Sequence, residues 1–162
     1  MAPLLVLAAV TAIARLVGWL IGDGWLDSWA HAAALGLAAM LVLTSSAHFL
    51  QPRRDALIAM VPPRLPNAPA LVTLTGVLEV AGAVGLLIPA TAALAAAGLI
   101  ALLVALFPAN VRAARADLGI KTMPLPLRAL VQVLFNAASV VVIVGLKPRR
   151  PRPHTHTTAH AA

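Results

Sequence analysis

The stretch from Leu71 to Leu87, LVTLTGVLEVAGAVGLL, decides the fold, because it is long and apolar and carries a single carboxylate, Glu79. As a helix it rises about 25 Å, and with the flanking Ala70 and Ile88 it approaches the hydrocarbon thickness of a bilayer. A carboxylate at that depth is costly unless it is protonated or paired. We therefore expect this helix to turn Glu79 towards other helices and away from lipid.

The spacing of small and polar residues around Glu79 predicts which face of this helix is buried. Residues three and four positions apart share one side of a helix. Small residues on both sides of an acid let neighbouring helices approach closely. The predicted buried face consists of Val72, Thr75, Gly76, Glu79, Gly82, Ala83 and Leu86.

The composition of the 162-residue chain indicates an integral membrane protein. Its residues are 61% hydrophobic and 10% charged, whereas soluble domains are about half apolar and about a quarter charged. The absence of cysteine excludes disulfides, thiol redox chemistry and thiolate metal ligands. The net charge of +7 comes from residues scattered over loops and tail, which fits loops beside anionic lipid better than nucleic acid. We expect no metal site and no covalently bound cofactor.

Apolar runs separated by proline-rich and charged segments predict an all-α bundle of membrane-spanning helices. The predicted spans cover residues 3–21, 30–50, 70–88, 92–107 and 127–146. The fourth span is expected to end at Phe107, because Pro108 follows it. Residues 56–61 are expected to form a short interfacial helix. The basic, histidine-containing tail of residues 147–162 has no apolar period and is expected to be disordered.

Charged residues near the span ends bear on packing and orientation. Arg15 lies inside the first span, with Asp23 and Asp27 after it as candidate partners. The loops at 51–69 and 109–126 share a side with the N-terminus and carry most of the basic residues, which favours a cytoplasmic N-terminus. The basic tail favours the opposite orientation, and the sequence leaves this choice open.

Several motifs in a fixed order resemble the DoxX family of membrane proteins. They are AHF at 47–49, MVPPRLP at 60–66, LTGVLEVAGAVGLL at 74–87, FPANV at 107–111 and PLPLRALVQ at 124–132. The resemblance covers roughly residues 30 to 146. It implies a four-helix membrane core, here with one additional N-terminal transmembrane helix. It also implies an association with membrane redox systems, some of them quinone-linked or concerned with sulfur compounds or oxidative stress. Fold transfers between relatives more readily than function.

The predicted topology places His48, Asn110, Arg128 and Gln132 towards one membrane face, with Glu79 about 13 Å below it. Arg128 is expected to reach the Glu79 carboxylate. The resulting hypothesis is a polar pocket, open to that face, for a small lipid-soluble ligand such as a quinone. His48, Arg128 and Gln132 would donate hydrogen bonds to its carbonyl oxygens, and Glu79 would exchange protons.

Three interpretations of the bundle stay open. The first is the membrane subunit of a redox system in the cell membrane, with a soluble or membrane redox partner, whether or not the chain is itself an enzyme. The second is a small permease or channel with Glu79 in its path. The third is a structural partner protein, in which polar side chains only hold helices together. A homo-oligomer is compatible with each of them.

Overall fold

A computed structural model describes residues 2–115 and 123–146, and within them the chain forms six α-helices. They are α1 (Ala2–Ile21), α2 (Trp29–Phe49), α3 (Arg53–Met60), α4 (Ala68–Leu87), α5 (Ala92–Arg115) and α6 (Leu125–Leu146). All except α3 are long and apolar enough to cross a membrane. The chain is therefore a multi-pass membrane protein, and the predicted helical bundle is confirmed. The predicted tail, residues 147–162, lies outside the described residues.

Four of the membrane helices form a closed ring. α2 packs against α4 and α6, and α5 packs against the same two helices on the other side. α1 lies outside the ring and packs against α2, which matches the expected four-helix core with one N-terminal helix. α2 is the most buried span, with Leu37, Met40 and Leu41 at most 2% exposed. The other spans expose many apolar side chains, as helices facing lipid do.

Most helix bounds agree with the sequence prediction to within two residues, but α5 does not. It continues through Pro108 to Arg115, so the predicted end at Phe107 is wrong. Proline lacks the N–H that would bond to the carbonyl four residues earlier. Membrane helices tolerate this loss when neighbouring groups satisfy the freed backbone. The two arginines in the last turn of α5 also favour the extension, because basic side chains stabilise a helix C-terminus.

The short helix α3 and the start of α4 lie at the same end of the bundle as the C-terminus of α2. α3 begins three residues earlier than predicted and contacts both α4 and α5. Asn67, in the left-handed region with φ 51°, precedes α4, and its side chain accepts a hydrogen bond from the Ala70 N–H at 3.3 Å. This cap fixes where α4 starts, and therefore how deep Glu79 lies.

At the opposite end, Arg15 joins α1 to the segment that leads into α2. Its guanidinium forms an ion pair with Asp27, one of the two predicted partners, and lies 4.7 Å from the ring centre of Trp29. Asp23 has a different role, since it accepts a hydrogen bond from the Trp25 N–H at 2.9 Å. The arginine inside the first span is thus neutralised at the edge of the bundle.

Candidate functional site

Glu79 lies on the buried side of α4, as the sequence predicts. The buried residues of this helix are Val72, Gly76, Glu79, Ala83 and Leu86, all members of the predicted face. The two remaining members, Thr75 and Gly82, are half-buried. The face packs against α2, so the carboxylate points into the protein.

Each carboxylate oxygen of Glu79 has a partner on α2. His48 Nε2 lies 3.4 Å from Oε1, and the Thr44 hydroxyl is 2.8 Å from Oε2 and donates a hydrogen bond to it. Thr44 and His48 are four residues apart and therefore share one face of α2. The side chains of His48 and Glu79 are only 9% and 11% exposed. The two membrane helices are thus joined by a buried polar contact, which we call the α2/α4 pair (His48 and Glu79).

The second ring nitrogen of His48 fixes the tautomer. Nδ1 lies 2.8 Å from the Val72 carbonyl oxygen, which can only accept, so we infer that Nδ1 carries a hydrogen. The Thr75 hydroxyl lies 3.0 Å from Nδ1 and donates to the same carbonyl at 2.9 Å. Because Nδ1 is already a donor, the charge of the imidazole depends only on whether Nε2 is also protonated.

This tautomer limits the α2/α4 pair to two favourable forms. One is an imidazolium beside a carboxylate, and the other is a neutral imidazole beside a protonated carboxyl group. They differ only in the position of one proton between Nε2 and Oε1, and both have zero net charge. Removing that proton would place a nitrogen lone pair against a negative carboxylate away from water, which is costly. In both forms the two side chains share one proton between Nε2 and Oε1.

Two further residues position His48. The Arg54 guanidinium donates to the backbone oxygen of His48, to Pro69 O at 3.2 Å and to the Thr73 hydroxyl at 3.0 Å. It thereby ties the end of α2 to the start of α4. Gly76 leaves room for the histidine, because a Cβ there would lie 2.6 Å from His48 Cβ. Sequence reasoning assigned no role to Arg54, and it did not connect Gly76 with His48.

Arg128 does not reach Glu79, so the expected pair between them is wrong. Its Nη1 donates to Asn110 Oδ1 and its Nε to the Met123 carbonyl, both at 2.9 Å. Two features explain the error. α6 packs against α5 and α2, opposite α4 in the ring. In addition, Arg128 lies about 4 Å into α6, whereas Glu79 lies about 16 Å into α4.

Four of the five candidate residues thus separate into two pairs, and Gln132 belongs to neither. His48 and Glu79 meet between α2 and α4, and Asn110 and Arg128 meet between α5 and α6. Gln132 is half-buried and makes no side-chain hydrogen bond with any residue that the structure describes. The sequence signal for Thr44 was available, since it precedes His48 by one turn on the same face.

Two surface grooves are apolar and contain none of the five candidates. One runs between the start of α2 and the end of α6, and it is lined by Ser28, Trp29, Ala30, Val140, Val141, Val144 and Gly145. The other lies between α4 and α5 and includes Leu78, Gly82, Leu94 and Gly98. Neither is the polar pocket expected from the sequence. Residues 2–115 and 123–146 also contain no cluster of three or more His, Asp or Glu side chains suited to a metal ion.

A family model described as "Domain of unknown function (DUF8561)" matches residues 37–147. The chain belongs to this family. The match covers more than half of the chain and includes every candidate residue, while α1 lies outside it. No curated protein and no solved structure matches the chain.

Proposed function

We propose that this protein is a DoxX-like membrane subunit of a redox system in the cell membrane, in which the α2/α4 pair exchanges a proton with a quinone-type ligand. The observation that carries the proposal is the contact between His48 Nε2 and Glu79 Oε1, 3.4 Å apart and buried between two membrane helices. Ionisable residues inside a membrane are costly and typically functional. The resemblance of the sequence motifs to the DoxX family supports the redox context.

The chemistry of a quinone fits a pair that shares one proton. Reduction of a quinone to a quinol consumes two electrons and two protons. The α2/α4 pair supplies one proton at a time. Because the pair without that proton is costly, the proton is replaced at once from water at the nearby membrane edge, since His48 lies in the last turn of α2. The electrons come from a separate redox partner, either soluble or membrane-bound. The contribution of this chain is to bind the ligand and to transfer protons to it.

The test is thermal unfolding of the detergent-purified protein with and without a soluble quinone analogue. A ligand that binds only the folded form stabilises it by about 2.7 kcal/mol at a hundred times its dissociation constant. We expect a quinone-dependent rise in the unfolding midpoint of the wild type. The rise should disappear in Glu79→Gln and in His48→Gln, because neither variant can hold the shared proton.

Arg128→Gln is the matched control. It also removes a charged side chain from a membrane helix, but Arg128 contacts Asn110 between α5 and α6 and does not contact the α2/α4 pair. It should retain the quinone-dependent rise. If the wild type shows no rise and both pair variants are simply less stable, the pair only joins helices and the redox proposal fails. If proteoliposomes show solute flux that Glu79→Gln abolishes, the protein is a permease instead.

A further inference from the structure

Four arginines lie at one end of the bundle: one in the segment after α3, two in the last turn of α5 and one in the first turn of α6. Arg112 donates a hydrogen bond to the Val61 carbonyl, which brings this turn against the end of α3. Arg64 follows Val61 by three residues, and Arg115 follows Arg112 by one helical turn. On the other side, Arg128 bonds to Asn110 of α5. We call Arg64, Arg112, Arg115 and Arg128 the arginine cluster.

The charge of the arginine cluster is not neutralised by acidic side chains in the part of the chain that the structure describes. Arg112 and Arg128 bond to backbone and amide oxygens. Arg64 and Arg115 are exposed and form neither a hydrogen bond nor an ion pair within residues 2–115 and 123–146. Basic residues also outnumber acidic ones in the complete sequence of the segments at this end. Residues 51–69 and 109–128 together contain seven Lys and Arg and two Asp.

The length of α5 indicates that its last turn extends to the level of the lipid headgroups. The helix has 24 residues, which corresponds to a length of about 36 Å. The hydrocarbon core of a bilayer is about 30 Å thick. With Ala92 at the opposite edge, the helix exceeds the core by about one turn, which is the turn that carries Arg112 and Arg115. We therefore expect the guanidinium groups of Arg112 and Arg115 at the depth of the lipid phosphates.

We propose that the arginine cluster binds the headgroup of an anionic phospholipid. Guanidinium groups donate paired hydrogen bonds that match the geometry of phosphate oxygens. Arg64 and Arg115 are exposed and have no hydrogen-bonding partner among residues 2–115 and 123–146, so their guanidinium groups can make these bonds. Arg112 and Arg128 hold the surrounding segments in place. This site is distinct from the α2/α4 pair and does not depend on the function proposed for it.

Native mass spectrometry of the full chain in detergent tests the proposal. The probes are phosphatidylglycerol, phosphatidylcholine with the same acyl chains, and inorganic phosphate. We expect phosphatidylglycerol to bind in preference to phosphatidylcholine. Each arginine near an anionic surface is expected to change the affinity about fivefold. The double variant Arg64→Gln, Arg115→Gln should therefore bind phosphatidylglycerol about 25-fold more weakly. Both side chains are exposed, so folding should be unaffected.

The matched control is Arg149→Gln with Arg150→Gln, which removes the same charge from the C-terminal tail and should change binding less than about twofold. An equal loss in this control would show that net charge alone matters and would overturn the proposal. Equal binding of phosphatidylcholine would also overturn it. If inorganic phosphate displaces phosphatidylglycerol, the cluster binds soluble anions and the lipid assignment is wrong.

Discussion

Replacement of Gly76 by alanine tests the proposed role of close packing between α2 and α4. The new Cβ would lie 2.6 Å from His48 Cβ and 2.9 Å from Phe49 Cζ. The phenyl ring can rotate away, but His48 Cβ is attached to the backbone of α2 and cannot. To restore an ordinary contact, α2 and α4 must separate by about 0.8 Å. The same movement weakens the contact of His48 with Glu79.

The expected magnitude follows from two opposing effects. Overpacking of a tight contact costs about 1–3 kcal/mol. Replacing glycine by alanine within a helix stabilises the folded protein by about 0.5–1 kcal/mol. The central values of these ranges differ by about 1 kcal/mol, so Gly76→Ala should lower the free energy of unfolding by about that amount. Reversible unfolding in detergent micelles, followed by circular dichroism, would measure the difference.

Two other glycines of the bundle serve as controls for Gly76. A Cβ on Gly82 would lie 3.7 Å from Leu41 Cδ1, an ordinary contact, and a Cβ on Gly98 would have no atom within 4 Å. Alanine at either position should leave the stability unchanged or raise it by up to about 1 kcal/mol. If Gly76→Ala is as stable as Gly82→Ala, the packing argument is refuted.

Two further predictions concern the arginines that join helices. Arg54→Gln should destabilise the protein by about 2 kcal/mol in the same unfolding assay, because it removes charged hydrogen bonds to three acceptors on α2 and α4. Arg53→Gln, at the exposed neighbouring position, should change stability by less than about 0.5 kcal/mol, and an equal loss there would contradict the proposed role. For Arg15 and Asp27, a double-mutant cycle should give a coupling of at most about 1 kcal/mol that decreases with salt, since the pair is partly exposed. A larger, salt-independent coupling would contradict this interpretation.

The sequence predicts the bundle well because hydrophobic length and helical spacing are local properties. The buried face of α4 and four of the five predicted spans follow from them and agree with the structure to within two residues. The predicted end of α5 at Phe107 was wrong because a membrane helix tolerates the backbone hydrogen bond that a proline removes when neighbouring groups satisfy the freed backbone. In this bundle, Arg112 donates to the Val61 carbonyl at the end of α3, and Asn110 accepts a hydrogen bond from Arg128 of α6. Both contacts lie beyond Pro108 and favour continuation of α5.

The site was harder to predict, because the sequence does not determine which helices are neighbours. Glu79 could be identified as a buried acid from its surroundings alone. Its partner could not, since Arg128 and His48 both lie towards the same membrane face. The choice between them depends on the order of helices around the ring, which brings α2, and not α6, against the buried face of α4. The contacts of Arg54 are likewise visible only in three dimensions.

The choice of histidine as the partner of Glu79 has an electrostatic consequence. Arginine stays protonated in proteins, so a pair of Glu79 with an arginine would keep two full charges inside the membrane. With histidine, transfer of one proton from Nε2 to Oε1 makes both groups neutral, and burial then costs less. The structure separates its charges accordingly. Arg54, Arg112 and Arg128 lie in the first or last turns of their helices, near water, whereas the buried acid contacts a group that can neutralise it.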